Sequence, residues 1–182
     1  MQRSHDGLVN QYQFRASISR EVLIEMQAHL QRPASALKKL GDLERRLGRP
    51  DQARELYDRA LVLYEGEQDW LAQANTLLAL GDAQRHAGQY GEATGFYQRA
   101  LTLFAQEQEP MGIACTFAEL ARCPHALGDK SGCNSALQSA LEAAKKSNVD
   151  SVSNYVTNVL EEITGGPEQA IAWLGQREAP DA

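Results

Sequence analysis

LGDLERRLGRPDQARELYDRALVLY occupies residues 40–64, and LGDAQRHAGQYGEATGFYQRALTLF occupies residues 80–104. The two stretches are one pattern written twice at a single constant offset. The offset joins Leu37 to Leu77, Leu40 to Leu80, Gly41 to Gly81 and Asp42 to Asp82. It also joins Gly48 to Gly88, Ala53 to Ala93, Tyr57 to Tyr97, Ala60 to Ala100, Leu61 to Leu101 and Tyr64 to Phe104. Chance does not hold register over so many positions, and a fixed period of this size marks a stack of like units.

A third, more worn copy follows at the same offset. Phe117, Leu120, Ala121, Gly128, Cys133, Leu137, Ala140 and Leu141 stand at the places of Leu77, Leu80, Gly81, Gly88, Ala93, Tyr97, Ala100 and Leu101.

Each copy reads as two helices. Leu37, Leu40, Gly41 and Glu44 recur at i, i+3, i+4 and i+7, the spacing of one helix face. Gly48 ends that helix, because glycine enters the left-handed cap conformation without strain. Pro50 then suits a first helical turn, and Asp51 suits the positive end of the helix dipole. The second helix carries Ala53, Tyr57, Ala60, Leu61 and Tyr64. The small residues Gly41, Ala53 and Ala60 let the two helices approach, and the Tyr57 ring fills the space beside them.

Composition narrows the function. The chain has 182 residues, 43% apolar and 23% charged, with a net charge of -6. Helix formers dominate and β-branched runs are scarce, so no substantial sheet is expected. The acidic balance argues against a nucleic-acid partner and against an anionic membrane surface. No apolar run approaches the ~20 residues of a membrane span, and the N-terminus has no apolar signal core, so the expected location is cytoplasmic. Cys115, Cys123 and Cys133 are odd in number and form no C-x-x-C pair, which reads as free thiols in a reducing compartment. Cys123, His125 and Cys133 match no standard zinc spacing, so no metal and no cofactor are expected.

The flanks extend the theme. SREVLIEMQAHLQRP, from Ser19 to Pro33, reads as a helix with Val22, Leu23, Met26 and Leu30 on its apolar side. It falls where the second helix of a preceding repeat belongs, with GLVNQYQF upstream as its first helix. Beyond Lys146, Val152, Val156, Val159, Leu160 and Ile163 continue an apolar stripe, and GGPEQAIAWL follows as a turn and a short helix. The expected organisation is 1–33 as a degenerate repeat or cap, three repeats at 34–73, 74–113 and 114–147, a shortened repeat or cap at 148–175, and a flexible tail at 176–182.

The pattern L-x-x-L-G, then G-x-x-x-x-A, then Y-x-x-A-L, resembles the tetratricopeptide repeat. The resemblance is specific over Ala34–Phe104 and extends more loosely to about Lys146. Against the family's usual period of about 34 residues, about six are added at YEGEQDW and FAQEQEP. In this it is similar to the longer repeats of kinesin light chains, spindle-orientation adaptors and Rap-type regulators. An aromatic at Leu37 and Leu77 and a proline closing the second helix are absent.

The resemblance implies an all-α, right-handed superhelical stack of antiparallel helix hairpins. It implies a non-catalytic scaffold that holds a peptide or helix of another protein on its concave side, which the first helices line. Positions opposite the packed stripe are then the candidate partner-binding residues: Lys38, Asp42, Arg45 and Arg46, then Asn75, Leu78, Asp82, Arg85 and His86, then Cys115, Ala118, Glu119, Arg122 and His125. Arg grips carboxylates in a bidentate manner, so Lys38, Arg45, Arg46, Arg85 and Arg122 point to an acidic partner segment. The plainer reading makes them solvated faces with helix-spaced pairs such as Asp42–Arg45 and Asp82–Arg85.

The family's clamp for chaperone C-termini needs residues absent here. Lys38, Asp42, Ala79, Cys115 and Glu119 stand at its positions, and only Lys38 fits. Pro124 falls inside a first helix and should kink it. His5, His29, His86 and His125 pair with no nucleophile at a recognisable spacing, so an enzyme is not expected. Two other readings are a homo-oligomer built through the terminal helices and a peptide-sensing regulator.

Overall fold

The computed structural model describes residues 33–178, so the expected N-terminal repeat and the tail beyond 178 lie outside the described residues. All regular structure in that span is helical. The order is α1 (Pro33–Arg46), α2 (Pro50–Glu67), α3 (Trp70–His86), α4 (Tyr90–Gln106), α5 (Pro110–Ala126), α6 (Lys130–Ser147), α7 (Asp150–Thr164) and α8 (Pro167–Glu178). Successive helices pair as hairpins, α1 with α2 through α7 with α8.

The turn glycines do what the sequence requires of them. Gly48, Gly88 and Gly128 have φ of +72°, +76° and +76°. After α1 the Gly48 amide donates to the Arg45 carbonyl at 3.1 Å and the Arg49 amide to Glu44 at 3.0 Å. The same two bonds close α3 and α5, so three like caps absorb the orphan carbonyls of the first helices. The longer period has its own device. Gln68, Gln108 and Asn148, related by the repeat offset, take φ of +56°, +54° and +52° after each second helix. Pro124 costs only the bond to Leu120, and α5 continues past it to Ala126.

Core residues come from both helices of each hairpin. Ala53, Tyr57 and Leu61 of α2 enclose Leu77, Leu80 and Ala83 of α3 together with Ala100 and Phe104 of α4. Downstream, Ala118, Ala121, Leu137 and Ala140 pack with Val152, Val156, Val159 and Leu160 of α7. Trp173 of α8 packs on that cluster and donates from Nε1 to Asn134 Oδ1 at 2.8 Å.

One expectation divides. Leu80 is fully buried, but its counterpart Leu40 is 45% exposed. The reason is positional: α2 covers α3 on its upstream side, and no described helix precedes α1.

The first helices also touch one another in sequence, α1 on α3, α3 on α5 and α5 on α7, whereas the backbones of the described second helices stay farther apart. Side chains from different repeats therefore converge on the first-helix face.

Candidate functional site

On that face, tyrosines of the second helices hold acids of the first. The Tyr57 hydroxyl donates to Asp42 Oδ1 at 2.8 Å, and the Tyr97 hydroxyl to Asp82 Oδ1 at 2.9 Å. Both rings are buried while their polar ends reach the site, which is how a large tyrosine satisfies its hydroxyl inside a core. Lys38 Nζ closes the other Asp42 oxygen at 3.1 Å.

The arginines follow in turn. Arg45 lies beside Tyr57 and feels the charges of Asp82 and Asp42, with its Nε buried and without a hydrogen-bond partner. Arg85 Nη2 lies 3.0 Å from Glu119 Oε2, bridging α3 to α5. Arg122 Nε donates to Glu119 Oε1 at 3.3 Å, and its Nη1 donates to Glu162 of α7. The Tyr155 hydroxyl, also from α7, donates to Glu119. Glu119 is only 7% exposed, so this carboxylate is the hub of three repeats rather than a surface acid.

Protonation follows from this crowding. Burial first, and the Glu119 charge second, push the Asp82 carboxyl up to about 6. Burial and the neighbouring Arg85 and Arg45 charges lower the His86 imidazole. Burial and Glu119 raise the Cys115 thiol, so it is a poor nucleophile.

The sequence-derived residues therefore sort into two sets. Asp42, Arg45, Asp82, Arg85, Glu119 and Arg122 are brought into one connected field, with Lys38 at its upstream end. Arg46, Asn75 and His86 are exposed at its margin, Asn75 donating to the Leu71 carbonyl at 2.9 Å. The helix-spaced pairing of Asp42 with Arg45 and of Asp82 with Arg85 gives way to acid–tyrosine bonds and to the cross-helix Arg85–Glu119 pair.

Tyr155 and Glu162 belong to this field and are missed by the sequence reading. Their signal lies in the repeat: the same offset carries Asn75 to Cys115 and on to Tyr155, and Asp82 to Arg122 and on to Glu162. Extending the offset into the fourth copy finds both. An apolar cleft of about 460 Å³ between α4, α5 and α6, lined by Phe117, Leu120 and Cys123 among others, has no counterpart in the sequence reading.

Among the described residues no cluster of His, Cys, Asp or Glu could hold a metal ion. None of the described helices is long and apolar enough to cross a membrane.

Comparison with known proteins agrees with the geometry. Residues 32–106 match the tetratricopeptide repeat family model. The fold is similar to the TPR domain of Arabidopsis FLU, with a TM-score of 0.60 and 22% identity, covering 64% of this chain and 98% of that one. It is also similar to the nearly identical TPR-like repeats of a Podosopora anserina putative kinesin light chain, with a TM-score of 0.59 and 15% identity, covering 80% of this chain and 73% of that one. A search of curated proteins finds no match. Residues 32–106 thus match the tetratricopeptide repeat, and the described residues have the α-solenoid fold of tetratricopeptide-repeat domains, which in general are non-catalytic protein-interaction modules.

Proposed function

We propose that this chain is a non-catalytic adaptor that binds an acidic peptide or helix of another protein along the face of α1, α3, α5 and α7. The carrying observation is the alignment of Arg45, Arg85 and Arg122 on successive first helices, within electrostatic reach of one another around His86. A guanidinium has five donors, so the one carboxylate on Arg85 and the two on Arg122 leave capacity for a partner. Bracing by Glu119 fixes Arg85 and Arg122 before binding, which lowers the ordering cost of recognition. Among the described residues Arg45 has no carboxylate within ion-pair distance, and exposed Arg46 lies beside it, so these two are the first contacts offered. The free thiols Cys115, Cys123 and Cys133 suit a cytoplasmic setting.

The test is fluorescence anisotropy with a labelled peptide panel of equal length, acidic, neutral and basic, against wild type and Arg45→Glu/Arg46→Glu. Expected is a preference for acidic peptides that falls about tenfold or more in the variant, whose far-ultraviolet spectrum stays helical although a carboxylate at position 45, beside Asp42 and Asp82, lowers its melting point. Equal binding of the three classes, or binding indifferent to the double reversal, would overturn the acidic-partner reading. Capture from the native lysate with wild type and variant as paired baits then identifies the partner.

A further inference from the structure

The cleft of about 460 Å³ between α4, α5 and α6 lies outside the charged field, since none of Arg45, Arg85, Glu119 and Arg122 lines it. Its floor is Phe117 and Leu120, both only half-buried. Their counterparts one repeat earlier, Leu77 and Leu80, are 3 and 0% exposed. The equivalent junction of α2, α3 and α4 keeps a smaller recess of about 260 Å³ beside Leu61 and Leu103.

That earlier junction is filled from within. Two guanidinium groups lie over the Phe96 ring, Arg54 at 5.9 Å and Arg99 at 6.0 Å from its centroid. Arg54 Nη1 donates to Glu92 Oε2 at 2.9 Å, and Gln84 Nε2 donates to the same oxygen at 2.9 Å. A ring, two cations and an acid thus tie α2 to α4 across α3. One repeat later Ala136 stands in place of Phe96, Thr94 of Arg54, Ser139 of Arg99, Pro124 of Gln84 and Gly132 of Glu92. All five replacements line the cleft. The ring and both cations are gone, and the space they fill one junction earlier is open.

Only the acid has a substitute. Asp129 Oδ2 occupies the space that a side chain on Gly132 would take. Asp129 Oδ1 accepts from the Gly132 amide at 3.0 Å. Among the described residues no ion pair involves Asp129, and it is the one charged residue that lines the cleft. The Thr94 and Ser139 hydroxyls donate to the Tyr90 and Ser135 carbonyls at 2.9 and 3.2 Å, so lone pairs are what they have left to offer. Thr94, Ser139 and Asp129 therefore present acceptors and negative charge above an apolar floor.

We propose that this cleft binds a small aromatic molecule bearing an ammonium group. The ring takes the place that Phe96 fills one junction earlier, and the cation takes the place of its arginines, held by Asp129. The volume is that of a site for one small organic ligand. The proposal is independent of the acidic-peptide reading, because the two sites share no residue.

The test is ligand-observed NMR titration of the full-length chain at low salt. The probes are tryptamine, its uncharged analogue tryptophol, indole-3-acetate, butylammonium and a blocked pentapeptide with a central Trp-Lys pair. Wild type is compared with Ala136→Phe, Ser139→Arg and Asp129→Asn. Expected for wild type is a dissociation constant for tryptamine on the order of 1 mM or below, about three- to tenfold tighter than for tryptophol. The acid, the ring-free cation and the pentapeptide bind more weakly still. Ala136→Phe and Ser139→Arg restore residues of the earlier junction and abolish binding. Ser139→Arg, at a half-buried site, keeps the test readable if Ala136→Phe fails to fold. Asp129→Asn keeps an acceptor for the Gly132 amide and makes tryptamine and tryptophol equal. Failure of tryptamine to bind, or equal binding of tryptamine and tryptophol by wild type, would overturn the proposal. So would binding that survives Ser139→Arg unchanged. A pentapeptide that binds as tightly as tryptamine would overturn it in favour of a partner segment.

Discussion

Gly81 of α3 faces the ring of Tyr97 of α4 with no space for a side chain between them, and Gly41 meets Tyr57 in the same way, an added Cβ falling 2.6 Å from the ring. In the third copy the pair is Ala121 and Leu137, both fully buried. The larger residue at one position accompanies the smaller at the other, as constant packing density demands. Gly81→Ala should therefore destabilise the stack by about 1–3 kcal/mol through overpacking, offset only in small part by the better helix propensity of alanine. Adding Tyr97→Leu should recover part of the steric loss, although it forfeits the bond to Asp82. Urea unfolding of the two single variants and the double measures this. A strictly additive double variant would mean that the two positions do not share one space.

Glu119 is the next test, because its carboxylate serves Arg85, Arg122 and Tyr155 at once. Glu119→Gln keeps the shape and removes the charge, leaving two partly buried guanidinium groups short of an anion. Breaking a buried pair from one side is costly, but Arg85 and Arg122 keep some contact with solvent, so the expected loss is about 1–3 kcal/mol. Glu162→Gln removes the exposed end of the same network and should cost under about 1 kcal/mol. Equal effects of the two substitutions in urea unfolding would show that Glu119 is no hub.

The contrast between these residues shows what the sequence made legible. The hairpins, their glycine turns and the buried Tyr57, Tyr97, Ala60 and Ala100 follow from local periodicity and close helix approach, and a single chain records both. Glu119 has no such record. Lys39 and Ala79 stand at its place in the earlier copies, and its burial depends on Tyr155 arriving from α7. Leu40 likewise reads as core from its spacing alone. What decides its exposure is which helix lies upstream, a tertiary fact that the repeat pattern does not contain. Tyr57 and Tyr97 were legible as packing but not as hydrogen-bond donors, since their hydroxyls matter only once Asp42 and Asp82 are beside them.

Asp82 gives a pH signature with a definite sign. Its carboxyl rises from 3.8 to about 6 on folding, so the folded chain holds this proton more tightly than the unfolded chain. Its burial therefore costs nothing below pH ~4, costs progressively more as pH rises through the interval to ~6, and costs its full amount above that. Glu119 adds to the rise, whereas the Tyr97 bond and the Arg45 and Arg85 charges oppose it. Asp82→Asn keeps an acceptor for Tyr97 and abolishes the titration. The stability difference, variant minus wild type, should climb between pH ~4 and ~6 and be flat above that interval. The lowered His86 acts in the opposite direction but is common to both proteins, so it drops out of the difference. Parallel stability curves across the lower interval would show that Asp82 does not titrate there.

Arg46 and Arg85 separate binding from folding. Arg46 is exposed, whereas Arg85 spans α3 to α5 through Glu119 with 19% of its side chain accessible. Arg46→Gln should leave stability within about 0.5 kcal/mol of wild type, as exposed substitutions do. It should nevertheless weaken capture of an acidic peptide, chiefly at low salt where a rim charge steers association. Arg85→Gln should lower stability by about 1–3 kcal/mol, because it leaves the buried Glu119 carboxylate without one of its partners, and should weaken binding together with it, because one of the three aligned guanidinium groups is gone. Calorimetric melting and peptide titration at two salt concentrations, run on the same preparations, distinguish them. Loss of binding by Arg85→Gln with unchanged melting would move Arg85 from the brace to the contact surface. No effect of Arg46→Gln at either salt concentration would remove the margin of the face from recognition.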